Sequence, residues 1–315
     1  MSKAKRELER KTRAALCGLS GTVKMAARGE RRDGRRVQAP GLQTIMAYLF
    51  PKRTDNEVYL HDKIDATELV RYLERKNEGR TKEEKVTIFH CAVLALARTV
   101  KERPLLNRFI QGYHMYERDE ISISFVVKRR FADGAEESLM FLVPKDGDNI
   151  DSVSRKIRGE VKETRKSEHS TGGVDALLDN FAKLPRLVLI PVVGLIRTLD
   201  FWGVNPEFIT AGDPDYSTIL VSNLGSIKAP AVYHHLNNYG TNSIMITIGT
   251  LHKEELVMED GTKEIRDVID FGATLDERIA DGFYFARSLK LVKYVFAHPE
   301  LLERPLAEAS GYRFE

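Results

Sequence analysis

Apolar and polar positions along this chain follow two periods, and the switches between them mark its elements. From Gly41 to Phe50 the spacing is helical, and Pro51 ends it because proline cannot continue the ladder of backbone bonds. Residues Glu57 to Asp65 alternate as a strand does, after which Ala66 to Leu73 turns helical with Asp65 placed as its N-cap. A second helix is predicted from about Val86 to Glu102, apolar at Ile88, Val93, Leu94, Leu96, Ala97 and Val100, and closed by Arg103-Pro104. Strands are predicted over Met115–Glu117, Ile121–Lys128 and, beyond the Asp133-Gly134 turn, Leu139–Pro144. From Ile150 to about Glu168 a charge-laced helix keeps one apolar stripe at Ile150, Val153, Ile157 and Val161. The β-branched runs Ser217–Ser226 and Ser243–Thr250 have the character of central strands. Asp260-Gly261 joins two charged strands, the second of which leads through Leu275 into a charged loop and a last helix from Phe283 to about Ala297, with Pro299 beyond it. Strands alternating with helices in this way predict an α/β sandwich, a mixed sheet with helices packed on it.

One segment stands apart. Gly172 to Gly203 opens with amphipathic spacing at Val174, Leu177, Leu178, Phe181 and Leu184, enters the run Leu187–Ile196, and ends at Phe201-Trp202-Gly203 with the single tryptophan of the chain. The plain expectation is a buried helical hairpin broken at Pro191. The alternative is a lid or apolar wall for an acyl chain, or a patch on a membrane surface over residues 184–202.

Composition narrows the classes. With 42% hydrophobic residues, a chain of 315 can bury a sizeable core. Basic and acidic residues nearly cancel, 49 against 46, so overall charge gives no argument for nucleic acid. The excess is local, concentrated between Lys3 and Arg36, and residues 1–40 are expected to be a basic, partly disordered tail able to meet an anionic surface or an acidic partner. Two cysteines, Cys17 and Cys91, suit a reducing compartment and carry no metal-ligand spacing, and the N-terminus lacks a signal-peptide core, so the expected location is the cytoplasm. The domain limits expected are 1–40 for the tail, 41–305 for a single domain with 172–203 as an apolar helical insertion, and 306–315 for a C-terminal tail.

Two motifs point to chemistry. Ile219-Leu220-Val221-Ser222-Asn223-Leu224-Gly225 puts a hydroxyl at a rigid strand end, where it can be aimed at developing negative charge. About fifty residues on, Asp276-Glu277-Arg278-Ile279-Ala280-Asp281-Gly282 packs charge between apolar flanks just before a helix. In that order and separation the pair resembles the Ile-Ser-Asn-Leu-Gly and Asp-His-Arg-x-x-Asp-Gly signatures of the catalytic domain of 2-oxo acid dehydrogenase acyltransferases, a fold shared with chloramphenicol acetyltransferase. Asp65-Ala66-Thr67-Glu68-Leu69 and the Pro104 to Asn107 step are similar to that family as well, so the resemblance covers about residues 42–304.

What the resemblance implies is an acyl transfer in which the serine matching Ser222 holds the oxyanion, a histidine removes the proton of the attacking thiol or hydroxyl, and the aspartate matching Asp281 holds the local structure. The histidine is Glu277 here. A carboxylate is the poorer base in water by roughly two pKa units, a gap that burial or the neighbouring Asp276 and Asp281 would narrow while Arg278 would widen it. Three roles stay open for Glu277: general base, structural carboxylate in a site that binds an acyl thioester without turning it over, or bystander to a base supplied by His234 or His235. That histidine pair resembles the His-His-x-x-x-Asp-Gly motif of related condensation enzymes but lacks its Asp-Gly. Where the family opens with Arg-Lys-x-Ile-Ala, this chain reads Leu42-Gln43-Thr44-Ile45-Met46-Ala47, so Arg278 or Arg53 would have to pair with Asp281 in place of the missing arginine. Asn223 is expected to line the site. The resemblance further implies a homotrimer with the channel between subunits, coenzyme A or acyl-coenzyme A as a substrate, and no covalently bound cofactor. Residues 1–40 could not hold a lipoyl domain, so a role as a dehydrogenase core is not expected. The alternative is a catalytically silent scaffold on the same fold.

Overall fold

The computed structural model describes residues 31–128, 137–166, 183–205, 210 and 213–314. Its elements are β1 (Arg35–Arg36), α1 (Gly41–Leu49), β2 (Glu57–Asp65), α2 (Thr67–Lys76), α3 (Ile88–Glu102), β3 (Arg108–Gln111), β4 (His114–Glu117), β5 (Ile123–Lys128), β6 (Glu137–Leu142), α4 (Ile150–Lys166), α5 (Arg186–Phe201), β7 (Ile219–Asn223), β8 (Ile244–Val257), β9 (Lys263–Asp276) and α6 (Gly282–Ala297). Six strands form one mixed sheet in the order β2-β9-β8-β7-β5-β6, with β7 parallel to both its neighbours, and β1-β4-β3 form a small second sheet. The two β-branched runs thus do become central strands. Asp65 serves α2 slightly differently from expectation: Ala66 holds the cap position, and the Asp65 carboxylate accepts from the Thr67 N–H at 2.9 Å.

Alternation within the strands divides the sheet into two faces. Ile219 and Val221 on β7, Ile244, Ile246 and Ile248 on β8, and Phe271, Ala273 and Leu275 on β9 join one core with α3 and α6. Helix α3 is buried from His90 to Val100, which explains its nearly continuous apolar run. The opposite face carries Ser222, Thr247, Gly272 and Asp276, and the segment from Ala231 to Leu236 crosses it. Glycine permits this crossing: a Cβ at Gly249 would lie 2.6 Å from the Ala231 nitrogen, and one at Gly272 would lie 3.1 Å from the Val232 carbonyl oxygen.

The apolar segment departs from the buried hairpin expected of it. α5 is one continuous helix through Pro191, and Leu187, Ile190 and Leu195 stand 87%, 69% and 59% exposed. Pro191 sits in the second turn, so the bond it cannot make lies close to the end where backbone groups are unpaired anyway. The spacing at Val174–Phe181 and the turn at Asp133-Gly134 lie outside the described residues. No helix among the described residues is long and apolar enough to cross a membrane.

His90 illustrates how the core is closed. Thr87 caps α3 by accepting from the His90 N–H, and the His90 Nδ1 accepts from the Thr87 N–H at 3.2 Å with the Ser154 hydroxyl at the same distance. Burial, with Arg158 nearby, pushes the imidazole down to about 4 from its ordinary 6.5. A depressed folded-state value means that the unfolded chain takes the proton first. Stability is therefore complete above pH 6.5 and is lost as pH falls towards 4, by roughly 3 kcal/mol from this group. Urea titrations across that window should show the fall, and His90→Gln should make it shallower.

Candidate functional site

The loop after β9 is built around a buried ion pair. Arg278 and Asp276 expose 1% and 0% of their side chains and meet twice, Nε to Oδ1 at 2.8 Å and Nη2 to Oδ2 at 2.6 Å. The remaining arm of the guanidinium donates to the carbonyl oxygens of Phe50 and Pro51, 3.1 and 3.0 Å away, at the end of α1. There a cation also complements the negative end of the helix. Asn56 completes the clip: its side-chain amide donates to the Phe50 and Lys52 carbonyls, and its own carbonyl accepts from the Glu277 N–H at 3.0 Å.

Three expectations are corrected here. Arg278 pairs with Asp276 rather than Asp281. Arg53, which is 3% exposed, spends its donors on the carbonyls of Ile110 and Asn237 and on Gln111, so it does not serve Asp281 either. Burial pushes this guanidinium down to about 10, against the pull of Asp276. Glu277, finally, is exposed, and Asp276 beside it is spoken for by Arg278. The Glu277 carboxylate has no hydrogen-bond or ion-pair partner among the described residues.

Asp281 caps α6, its Oδ1 accepting from the Tyr284 N–H at 2.8 Å. Ser222 and Asn223 stand half-buried at the end of β7, and neither side chain is hydrogen-bonded among the described residues. Gly225 follows because the chain there backs onto β8, where a Cβ would come within 2.5 Å of the Gly249 carbonyl oxygen. His235 is exposed, with Nδ1 3.1 Å from the Leu236 carbonyl; His234 is half-buried, and its Nε2 has no partner among the described residues. Leu236 N–H donates to the Glu57 carboxylate, and Glu57 stands opposite Asp276 in the sheet, so the histidine segment runs past the end where Glu277 begins.

Ser222 faces the helix-free side of the sheet, and Glu277 follows the end of β9 beyond it, so the two do not meet. Ser222 is level with Thr247 and so with Gly272, while Asp276 lies four residues further along β9. Strand geometry makes that about 14 Å along the sheet and about 10 Å across it. Beside the clip opens a cavity of about 260 Å³ whose lining includes Lys52, Arg53, Gln111, Arg197, Asp200 and Tyr239. Sequence reasoning missed this cavity, whose lining comes from separate stretches of the chain, and Asn56, whose carbonyl meets Glu277 over two hundred residues on; it also missed the Asp276–Arg278 pair, although the two stand only two residues apart at a strand end.

With the geometry in place, comparison with known proteins decides the family. The sequence model of the 2-oxoacid dehydrogenases acyltransferase (catalytic domain) matches residues 37–167 and 207–303. The chain belongs to that family. A curated relative, the lipoamide acyltransferase component of the branched-chain alpha-keto acid dehydrogenase complex of Bacillus subtilis, is 23% identical over 236 residues, 74% of this chain and 44% of its own length; the chain therefore spans less than half of that relative. Among solved structures, a dihydrolipoamide acetyltransferase of Azotobacter vinelandii, studied for the roles of a serine, a histidine and an asparagine in its mechanism, matches with TM-score 0.55 at 14% identity, covering 84% of this chain and 93% of its own. A chloramphenicol acetyltransferase matches with TM-score 0.50 at 12% identity over 84% of this chain and 99% of its own. The α/β fold expected of the family is the fold observed, a mixed sheet with helices on one face.

The clip carries a stability prediction. Arg278→Leu leaves the Asp276 carboxylate buried and unpaired, at a cost of about 3–5 kcal/mol. Glu277→Gln next to it changes an exposed side chain and should stay within about 0.5 kcal/mol. Chemical denaturation of the two variants beside the parent checks both.

Proposed function

We propose that this protein moves an acyl group between coenzyme A, or another thiol carrier, and a thiol or hydroxyl acceptor, in sites assembled between the copies of a homotrimer. Its membership of an acyltransferase family supports the reaction class. The observation that carries the assembly is the separation of Ser222 from Glu277. Both offer unengaged polar groups among the described residues, yet strand geometry keeps Ser222 apart from the strand end that leads into Glu277; on this reading a second copy supplies the missing half.

In the proposed reaction Glu277 takes the proton from the incoming thiol or hydroxyl as its sulfur or oxygen bonds to the thioester carbon. The carbonyl oxygen becomes an oxyanion and accepts a hydrogen bond from the Ser222 hydroxyl of the neighbouring copy. Collapse breaks the bond to the carrier sulfur, and that thiolate recovers the proton from Glu277. Asp281 holds the turn into α6, the Asp276–Arg278 pair fixes the backbone from which Glu277 projects, and Asn223 with His234 and His235 lines the approach.

A second reading is favoured by one observation: the residue at the family's histidine position is a carboxylate that no side chain among the described residues orients. On that reading the fold binds acyl thioesters without turning them over. Release of free thiol from acetyl- and longer acyl-coenzyme A, with a panel of thiols and alcohols, separates the two. The enzyme reading predicts turnover in the parent that falls by about a hundredfold or more in Glu277→Gln and in Ser222→Ala. Silence in the parent with turnover gained in Glu277→His would establish the second reading.

A further inference from the structure

Helix α5 lies wholly between the two segments that match the family, 37–167 and 207–303, so it is an addition to the shared fold. Its exposed surface is unusual. Leu187, Val188, Ile190, Val193 and Leu195 are all open, and Trp202 just beyond the helix is 67% exposed. A helix apolar around most of its circumference belongs in a core or in lipid. This one is held out from the core by a firm footing at its C-terminal end. There the Asp200 carboxylate accepts from Tyr216, Asn205 and Gln111, and the Asp200 carbonyl accepts from Arg31. Gly112 approaches Phe201 so closely that a Cβ would clash with its carbonyl oxygen, and Gly203, at φ +69°, lies under the Arg31 side chain.

Charge specifies the occupant. Lys183, Arg186 and Arg197 flank the apolar positions, all exposed and without an ion-pair partner among the described residues. Asp200, the one acid between 183 and 202, is buried. Arg31, which meets the foot of α5, belongs to the basic stretch of the sequence: residues 1–36 hold twelve lysines and arginines against four acids, which leaves the rest of the chain net acidic. Apolar side chains ringed by unpaired cations, with a tryptophan at the margin, are what an anionic bilayer surface accepts. At 16 residues α5 is about 24 Å long, too short to span the hydrocarbon layer. α1 also exposes Leu42, Ile45 and Leu49, but it lies within the family-matched part and is not an addition to the shared fold.

We infer that α5 and Trp202 form an interfacial anchor that lies in the headgroup layer of an anionic membrane, with Leu187, Ile190 and Leu195 inserted and Arg186 and Arg197 against lipid phosphates. This goes beyond the acyl-transfer reading and stands or falls without it.

The single tryptophan is a built-in reporter. Full-length protein is mixed with vesicles of phosphatidylcholine alone or with phosphatidylglycerol added, and Trp202 emission and co-flotation are followed. The proposal predicts a shift of emission to shorter wavelength and flotation with the anionic vesicles, weakened by high salt and by Arg186→Glu with Arg197→Glu. Ile190→Asp with Leu195→Asp should lower partitioning by about tenfold or more while melting temperature and solution mass stay at the parent's values. Equal binding to neutral vesicles, no binding to anionic ones, or undiminished binding by the double aspartate variant would each overturn it. So would a change of solution mass in the double aspartate variant without lipid, which would place this helix between copies of the chain.

Discussion

The bidentate contact between Asp276 and Arg278 is the constraint on which the rest of this site depends. It is formed at the last residue of the longest strand pair, in a place closed to water, and it reaches across to the end of α1. A charge buried at 0% exposure is tolerable only when every lone pair finds a partner. Arg278 meets that demand for Asp276 and spends its other donors on two carbonyls. The consequence is a stiff backbone over residues 276–282, from which Glu277 points to solvent and Asp281 starts the last helix.

The same sheet that carries this pair separates chemistry from packing. Odd residues of β9 and even residues of β8 enter the core under α3 and α6, while Ser222, Thr247, Gly272 and Asp276 face the crossing segment that brings His234 and His235. The His234 Nε2 and the Thr274 Oγ1, which have no partner among the described residues, lie on this face as well. A polar face that one chain leaves incompletely satisfied is the place where a neighbour or a ligand gains most from binding.

Much of the fold was legible in the sequence because its signals are local. Proline stops, alternation in Glu57–Asp65 and the β-branched runs of β7 and β8 need no partner to be recognised. The exceptions were long-range. Leu187–Ile196 has the composition of a buried segment, and nothing within it says that Leu187, Ile190 and Leu195 stay exposed. Arg278 could be placed near an acid from spacing alone, but which of Asp276 and Asp281 it meets is decided by where each lies: Asp276 ends β9 buried on the helix-free face, whereas Asp281 points at the N–H groups of α6. The position of Glu277 was evident and its exposure was not, since exposure depends on how α1 and Asn56 close over the loop.

The central claim is that Ser222 and Glu277 act together across a subunit boundary. Mixing two inactive variants tests it most directly: Ser222→Ala and Glu277→Gln chains are unfolded together, refolded as hybrids, and assayed for acyl-coenzyme A turnover. If each site takes its serine from one copy and its carboxylate from the next, random mixing restores about a quarter of the sites to the parental pair, and activity should return to roughly that fraction of the parent's. Hybrids as inactive as either variant, beside an active and equally refolded parent, would contradict the account.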